Sequence, residues 1–167
     1  MRALRGEHFT VEDVEAGTGR VLLCSWGPTV ASGGRVVGAT CFIQDISERR
    51  RVEEAVRRFS TAVRMSSEGI IVLDTDGRIR DINDAGLELL GYADMGEALD
   101  ADIGAHFSRA DLERFREDLS EAGKLGHLQE LEYSLETKGG RERVVEAGLT
   151  SMTGPDGGPT GMVVIGR

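Results

Sequence analysis

The chain is predicted to be an α+β protein, a five-stranded antiparallel sheet with helices on one face, preceded by a linker helix and three further strands. Three observations predict this. Residues 69–82 read as a tight hairpin, with GIIVLD and RIRDIN around Thr75-Asp76-Gly77, and Asp-Gly is a strong short-range turn signal. Helical periodicity then runs to Ala122, followed by three strand-like stretches separated by glycine turns, and two strands, a helical insert and a meander imply one sheet with one helical face. Finally, residues 19–44 recur at 142–167 without a gap, at an offset of 123 that pairs Arg20 with Arg143, Val21 with Val144, Gly34 with Gly157 and Gly38 with Gly161.

In order along the chain, residues 1–18 are mixed and end in the turn-forming Gly17-Thr18-Gly19. Residues 20–30 and 35–44 read as two strands joined at Gly33-Gly34, where positive φ suits glycine. Alternation puts Leu22, Cys24 and Trp26 on one face, with Trp26 expected as a core anchor. Cys24 and Cys41 fall near each other on neighbouring strands, not directly opposite. Two buried thiols are the expectation and a disulfide is the alternative. Asp45 with Glu48 fits a capping box, and residues 47–64 follow with a stripe of Val52, Ala55, Val56, Phe59, Ala62 and Val63 at helical spacing.

After the 69–82 hairpin, Asn83 is placed to cap a short helix carrying Ala85, Leu87, Leu89 and Leu90 and ending at Gly91. Residues 93–107 are expected to be irregular, with brief helical turns. Ser108 and Asp111 form an acidic capping-box variant that opens the best-defined helix. Leu112, Phe115, Leu119 and Ala122 make its apolar stripe, and Gly123 and Gly126 end it. Strands at 127–137, 141–153 and 160–166 close the chain, with Leu131, Tyr133 and Leu135 sharing one face and Val145, Ala147 and Leu149 another.

A net charge of −9 argues against nucleic acid as a partner, because phosphate binding needs clustered cations. The Arg49-Arg50-Arg51 run is interleaved with Glu and reads as a solvated helix face. No apolar run approaches the ~20 residues of a membrane span, and no signal-peptide stretch is seen, so a cytoplasmic protein without direct membrane contact is expected. No catalytic or metal set is visible. The three histidines lack a zinc-like spacing, and His106 is expected to be a surface or capping residue, with a ligand or pH-sensing role as the alternative. Asp74, Asp76, Asp81 and Asp84 lack the calcium-loop pattern and fit turns and caps better.

These residues resemble the PAS sensory family. The resemblance is carried by GIIVLDTDGRIRDINDAGLELLGY at 69–92, FSRADLERF at 107–115, the terminal meander, and DISERR at 45–50, which is similar to the family's Asp-Ile-Thr-Glu-Arg exit signature with Ser47 in place of Thr. It implies a tandem fragment: residues 1–46 as the C-terminal half of one module, 47–64 as an amphipathic linker helix, and 65–167 as a PAS-like sensory domain. The implied function is sensing and signal relay in a cytoplasmic signal-transduction protein of the sensor histidine kinase class, with no enzyme activity in this fragment. A ligand-free dimerisation module is the alternative.

Cofactor identity stays open, since residues 60–167 contain neither the reactive Cys of flavin-binding relatives nor a His on the long helix as in haem-binding ones. A small organic ligand between that helix and the sheet would meet Phe115, Leu119, Leu131, Tyr133, Ala147 and Leu149, which otherwise form core. Asp45 and Glu48 are the expected signal-relay junction. A homodimer is expected through Val52, Ala55, Val56, Phe59 and Val63 of the linker helix, or through the uncovered three-stranded sheet.

Overall fold

The computed structural model describes residues 2–14 and 17–167, so residues 1, 15 and 16 of the mixed N-terminal stretch lie outside the described residues. The chain divides into two units, Met1–Phe59 and Ser60–Arg167.

The first unit is an antiparallel meander of β1 (Phe9–Val14), β2 (Val21–Val30) and β3 (Val36–Asp45). A 3-10 turn at Ala3–Arg5 packs on β2 and β3. Cross-strand register puts Phe9, Val11, Leu22, Cys24, Trp26, Cys41 and Ile43 on one face, and Phe9 stacks on Trp26 with ring centroids 6.3 Å apart. Trp26 is half-buried, so the expected core anchor has no core around it. The buried apolar side chains among this unit's described residues are Ala3 and Ile46, because a single sheet layer has nothing to bury its apolar side against. Cys24 and Cys41 lie diagonally on adjacent strands, opposite Ile43 and Trp26 respectively. They are half-buried free thiols, less enclosed than expected.

Helix α1 (Ser47–Arg64) leads from the first unit into the second. Asp45 is still paired with Leu22 in the sheet, so Ile46 rather than Asp45 supplies the carbonyl for the first helical bond, from Arg50 N at 3.0 Å.

The second unit is a five-stranded antiparallel sheet in the order β5-β4-β8-β7-β6. Its strands are β4 (Gly69–Leu73), β5 (Ile79–Ile82), β6 (His127–Glu136), β7 (Glu142–Thr153) and β8 (Pro159–Gly166). Between β5 and β6 lie α2 (Asp84–Leu90), α3 (Met95–Ala98), a 3-10 turn at Ile103–His106 and α4 (Arg109–Leu125). Local chemistry explains these elements. Asp74 Oδ1 accepts from the amides of Asp76 and Arg78, both at 2.9 Å, and shapes the β4–β5 turn. Ser108 Oγ accepts from Asp111 N at 3.2 Å and opens α4. Gly123 does not stop that helix, which runs on to Gly126 at φ 91°, since an exposed helical glycine costs only ~1 kcal/mol. Helices and sheet enclose one apolar core that includes Ile71, Leu73, Leu90, Phe115, Tyr133 and Leu149.

The echo in the sequence corresponds to a shared hairpin register. Trp26 pairs with Cys41 and Thr29 with Gly38, and at the offset of 123 Leu149 pairs with Val164 and Met152 with Gly161. Even the register shift recurs, between Thr29 and Val30 and between Met152 and Thr153. The third strand does not keep the offset: Trp26 faces Phe9, whereas Leu149 faces Leu128 rather than Glu132. An irregularity between Leu128 and Leu131, where Glu130 takes φ 59°, displaces β6.

Candidate functional site

The apolar stripe of α4 meets the inner face of β6 and β7 through an aromatic cluster. Phe115 stacks on Phe107 at 4.5 Å and meets Tyr133 edge-on at 5.5 Å. The Tyr133 hydroxyl donates to Asp118 Oδ2 at 2.5 Å. Burial first, and that hydrogen bond second, pushes the Tyr133 phenol far above its ordinary range. Beside this cluster is an apolar cavity of about 20 Å³, room for about one water and too small for an organic ligand without repacking. Of the six residues expected to line a ligand site, Phe115, Tyr133 and Ala147 do so. Leu149 is sealed in the core, and Leu119 and Leu131 are half-buried packing around it. Leu90, Ile103, Phe107 and Val164 also line the cavity. Sequence periodicity within α4 and β6 could not find them, because they come from other elements.

His106 corrects the expectation of a surface or capping residue. It is buried, with Nδ1 2.8 Å from the Glu136 carbonyl and Nε2 2.9 Å from the Tyr92 hydroxyl. A carbonyl only accepts, so Nδ1 carries the hydrogen donated to Glu136, and Nε2 shares a hydrogen bond with the Tyr92 hydroxyl. Burial raises the Tyr92 phenol above its ordinary range. The pair ties the 3-10 turn to the end of β6.

At the expected relay junction, Asp45 Oδ1 accepts from Ser47 N at 2.9 Å. This replaces the expected capping box with Glu48, whose side chain is exposed, because the helix starts one residue later. Ser47, named in the sequence only as part of the exit signature, and Val21, named only in the repeat, complete the clip: Val21 N donates to Ser47 Oγ at 2.9 Å, and Ile46 N donates to the Val21 carbonyl at 2.9 Å. Arg50 pairs with Glu12 on β1. The Ser47 hydroxyl first, and its amide second, hold the Asp45 carboxyl below its ordinary value. Along α1, Val52, Val56, Phe59 and Val63 are exposed and Ala55 is half-buried.

Asn83 is more than the cap that its position implied. Its Oδ1 accepts from Gly86 N and Ile70 N, both at 2.8 Å, while Nδ2 donates to the carbonyls of Val63 at 3.0 Å and Glu68 at 2.9 Å. One buried side chain therefore joins the last turn of α1 to β4 and α2. Only an amide offers both donors and acceptor here, which is the signal that an Asn cap carries and an Asp or Ser cap does not. Asn83→Ala is expected to destabilise the second unit by about 2–4 kcal/mol, from the lost cap and the backbone groups left unpaired. Denaturant unfolding checks this, and a loss below about 1 kcal/mol would show that water replaces the amide.

Residues 57–125 match a family model described as "PAS domain". Among solved structures, a PAS domain of a Colwellia psychrerythraea protein is 21% identical with a TM-score of 0.63, the alignment covering 68% of this chain and 95% of that one. A PAS domain of an HTR-like protein from Haloarcula marismortui is 27% identical with a TM-score of 0.56, covering 72% and 96%. A PAS domain from a two-component sensor histidine kinase is 16% identical with a TM-score of 0.58, covering 70% and 97%. No curated protein matches the sequence.

Proposed function

We propose, from the PAS-domain match over residues 57–125, that this chain is a sensory and signal-relay module of a cytoplasmic signal-transduction protein of the sensor histidine kinase class, non-catalytic in itself. Asn83 is the observation that carries this reading, since it hydrogen-bonds α1 to the two elements that flank the core cavity. Repacking around Phe115 reaches β4 and α2 through the core, and Asn83 passes the displacement to the last turn of α1. Hydrogen exchange tests it on the full chain. A core perturbation, Phe115→Leu, is expected to change amide protection at residues 60–64, and the change is expected to vanish in the Asn83→Ala background. Protection at 60–64 that ignores the core substitution would overturn the relay.

In this reading the first unit is the C-terminal half of a preceding module, supported by the shared β2–β3 and β7–β8 register. Small organic ligands are the candidate input, and nucleic acid is not a partner. Among the described residues, no helix is long and apolar enough to cross a membrane.

The Asp45 clip gives a pH-dependent prediction. Its carboxyl is held below the ordinary value of 3.8 in the folded chain, so its contribution is complete above that value and is lost as pH falls through the lower folded one. The Ser47 amide resonance is expected to titrate with a midpoint below 3.8, and Asp45→Asn is expected to abolish the titration. A midpoint at or above 3.8 would show that the bond is not made in solution.

The exposed α1 stripe favours a second reading, a ligand-free dimerisation module. Absorbance and native mass of the purified chain discriminate: a bound chromophore or added mass supports sensing, and a clean dimer without either supports assembly.

A further inference from the structure

Cys24 and Cys41 have no part in the relay, and the β2–β3 register alone decides where they stand. Cys24 pairs with Ile43 and Trp26 with Cys41, so the two thiols are diagonal neighbours on one face of adjacent strands. They also interact. The Cys41 thiol is pushed above its ordinary value by burial first, and then by Cys24, its neighbour and hydrogen-bond partner. Their place in the fold carries further information. At the offset of 123, Cys24 stands where Ala147 does and Cys41 where Val164 does, and both of those residues line the core cavity of the second unit. In the second unit these two strand positions look onto a space of about 20 Å³. In the first unit both positions carry sulfur.

Two thiols so placed can close a disulfide or share a soft metal ion, and geometry decides between the two. Diagonal neighbours across an antiparallel pair stand ~7–8 Å apart, beyond the ~4.4–6.8 Å between Cα atoms that a disulfide accepts. A metal ion between the sulfurs adds two bonds of about 2.3 Å. It spans a gap that one sulfur–sulfur bond of about 2 Å cannot. Chemistry points the same way. Oxidation starts from a free thiolate, which the raised Cys41 thiol withholds, whereas a metal ion displaces thiol protons as it binds. The ion must also be satisfied by two protein ligands. Among the described residues, no group of three or more His, Cys, Asp or Glu side chains could hold a metal. That disfavours Zn(II), which takes three or four protein ligands, and favours a soft cation content with two thiolates, as Cu(I) is.

We propose that Cys24 and Cys41 are a dithiolate site for one Cu(I) ion, bridging β2 and β3 within a single chain. In the binding step one Cu(I) and both thiols give a bis-thiolate complex and release both thiol protons, with no change of oxidation state. The hairpin register fixes the pair whatever lies over that face of the sheet. The proposal does not depend on a sensory role.

Anaerobic competition of the reduced full chain against a coloured Cu(I) chelator tests it, with circular dichroism as the folding control. Wild type is expected to take one Cu(I) per chain, to release both thiol protons, and to change its Trp26 fluorescence, since Trp26 pairs directly with Cys41. Cys24→Ser and Cys41→Ser, which nearly preserve side-chain size, are each expected to bind about 100-fold more weakly, because a lone thiolate lacks the partner held beside it. Uptake that survives unchanged in either serine variant would mean a single-thiol adduct. One ion shared by two chains in native mass would mean a site between copies. Zn(II) bound as tightly as Cu(I) would mean further protein ligands. Any of these, or a wild type that takes no Cu(I), overturns the proposal.

Discussion

Replacing Gly161 with alanine is expected to destabilise the second unit by about 4 kcal/mol, close to the limit of what a single substitution does. A Cβ at Gly161 would lie 2.1 Å from the Leu73 carbonyl oxygen, and its φ of 156° is one that L side chains rarely adopt. The obstacle is the backbone of β4, which pairs with β8 at Leu73 and Met162 and cannot move without parting the centre of the sheet. Gly38 is the control. It is the equivalent residue in the first unit, paired with Thr29 as Gly161 is with Met152. A Cβ there meets only Thr29 side-chain atoms, the nearest at 3.8 Å, an ordinary contact. Gly38→Ala is expected to change stability by less than about 1 kcal/mol, the usual range for a strand-compatible Gly→Ala change. Intrinsic fluorescence separates the units, because the single tryptophan, Trp26, is in the first and both tyrosines, Tyr92 and Tyr133, are in the second. In Gly161→Ala the tyrosine-reported unfolding transition should move and the tryptophan-reported one should not. Equal effects of the two substitutions would sink the explanation.

Phe115→Ala is expected to cost about 3–5 kcal/mol, the range for deleting a buried aromatic side chain and leaving a cavity. Phe115 is 2% exposed and packs on both Phe107 and Tyr133, so little around it can collapse into the space. The deletion also enlarges a void that already exists beside it. An apolar cavity of that kind stays dry and takes small apolar molecules, so the variant is expected to gain stability from added benzene where wild type does not. Against a small domain's total stability of ~5–15 kcal/mol, the loss should be plain in denaturant unfolding. A cost under about 1.5 kcal/mol would show that α4 closes onto the sheet when the ring is removed.

The parts of this protein legible in its sequence are those decided within about four residues or by strict alternation. Asp74 shapes its turn through amides two and four positions on, Ser108 caps through an amide three positions on, and Asn83 opens α2 through Gly86. The β2–β3 and β7–β8 hairpins repeat because turn glycines and apolar alternation set register between neighbours. Helical spacing and strand alternation put Phe115, Tyr133 and Ala147 among six candidates, and the other three, Leu119, Leu131 and Leu149, do not line the cavity. What needed the tertiary structure depends on partners distant in the chain. Trp26 and Leu149 hold the same register slot, yet Leu149 is fully buried and Trp26 only half-buried. Gly38 and Gly161 are one residue in the echo, and only the second has β4 against its backbone. His106 is buried because Glu136 and Tyr92 arrive from other elements to satisfy both ring nitrogens, and Asn83 reaches Val63 across twenty residues of chain. Short-range hydrogen bonding writes such local choices into the sequence, whereas burial and steric clearance exist only once separate segments share a volume.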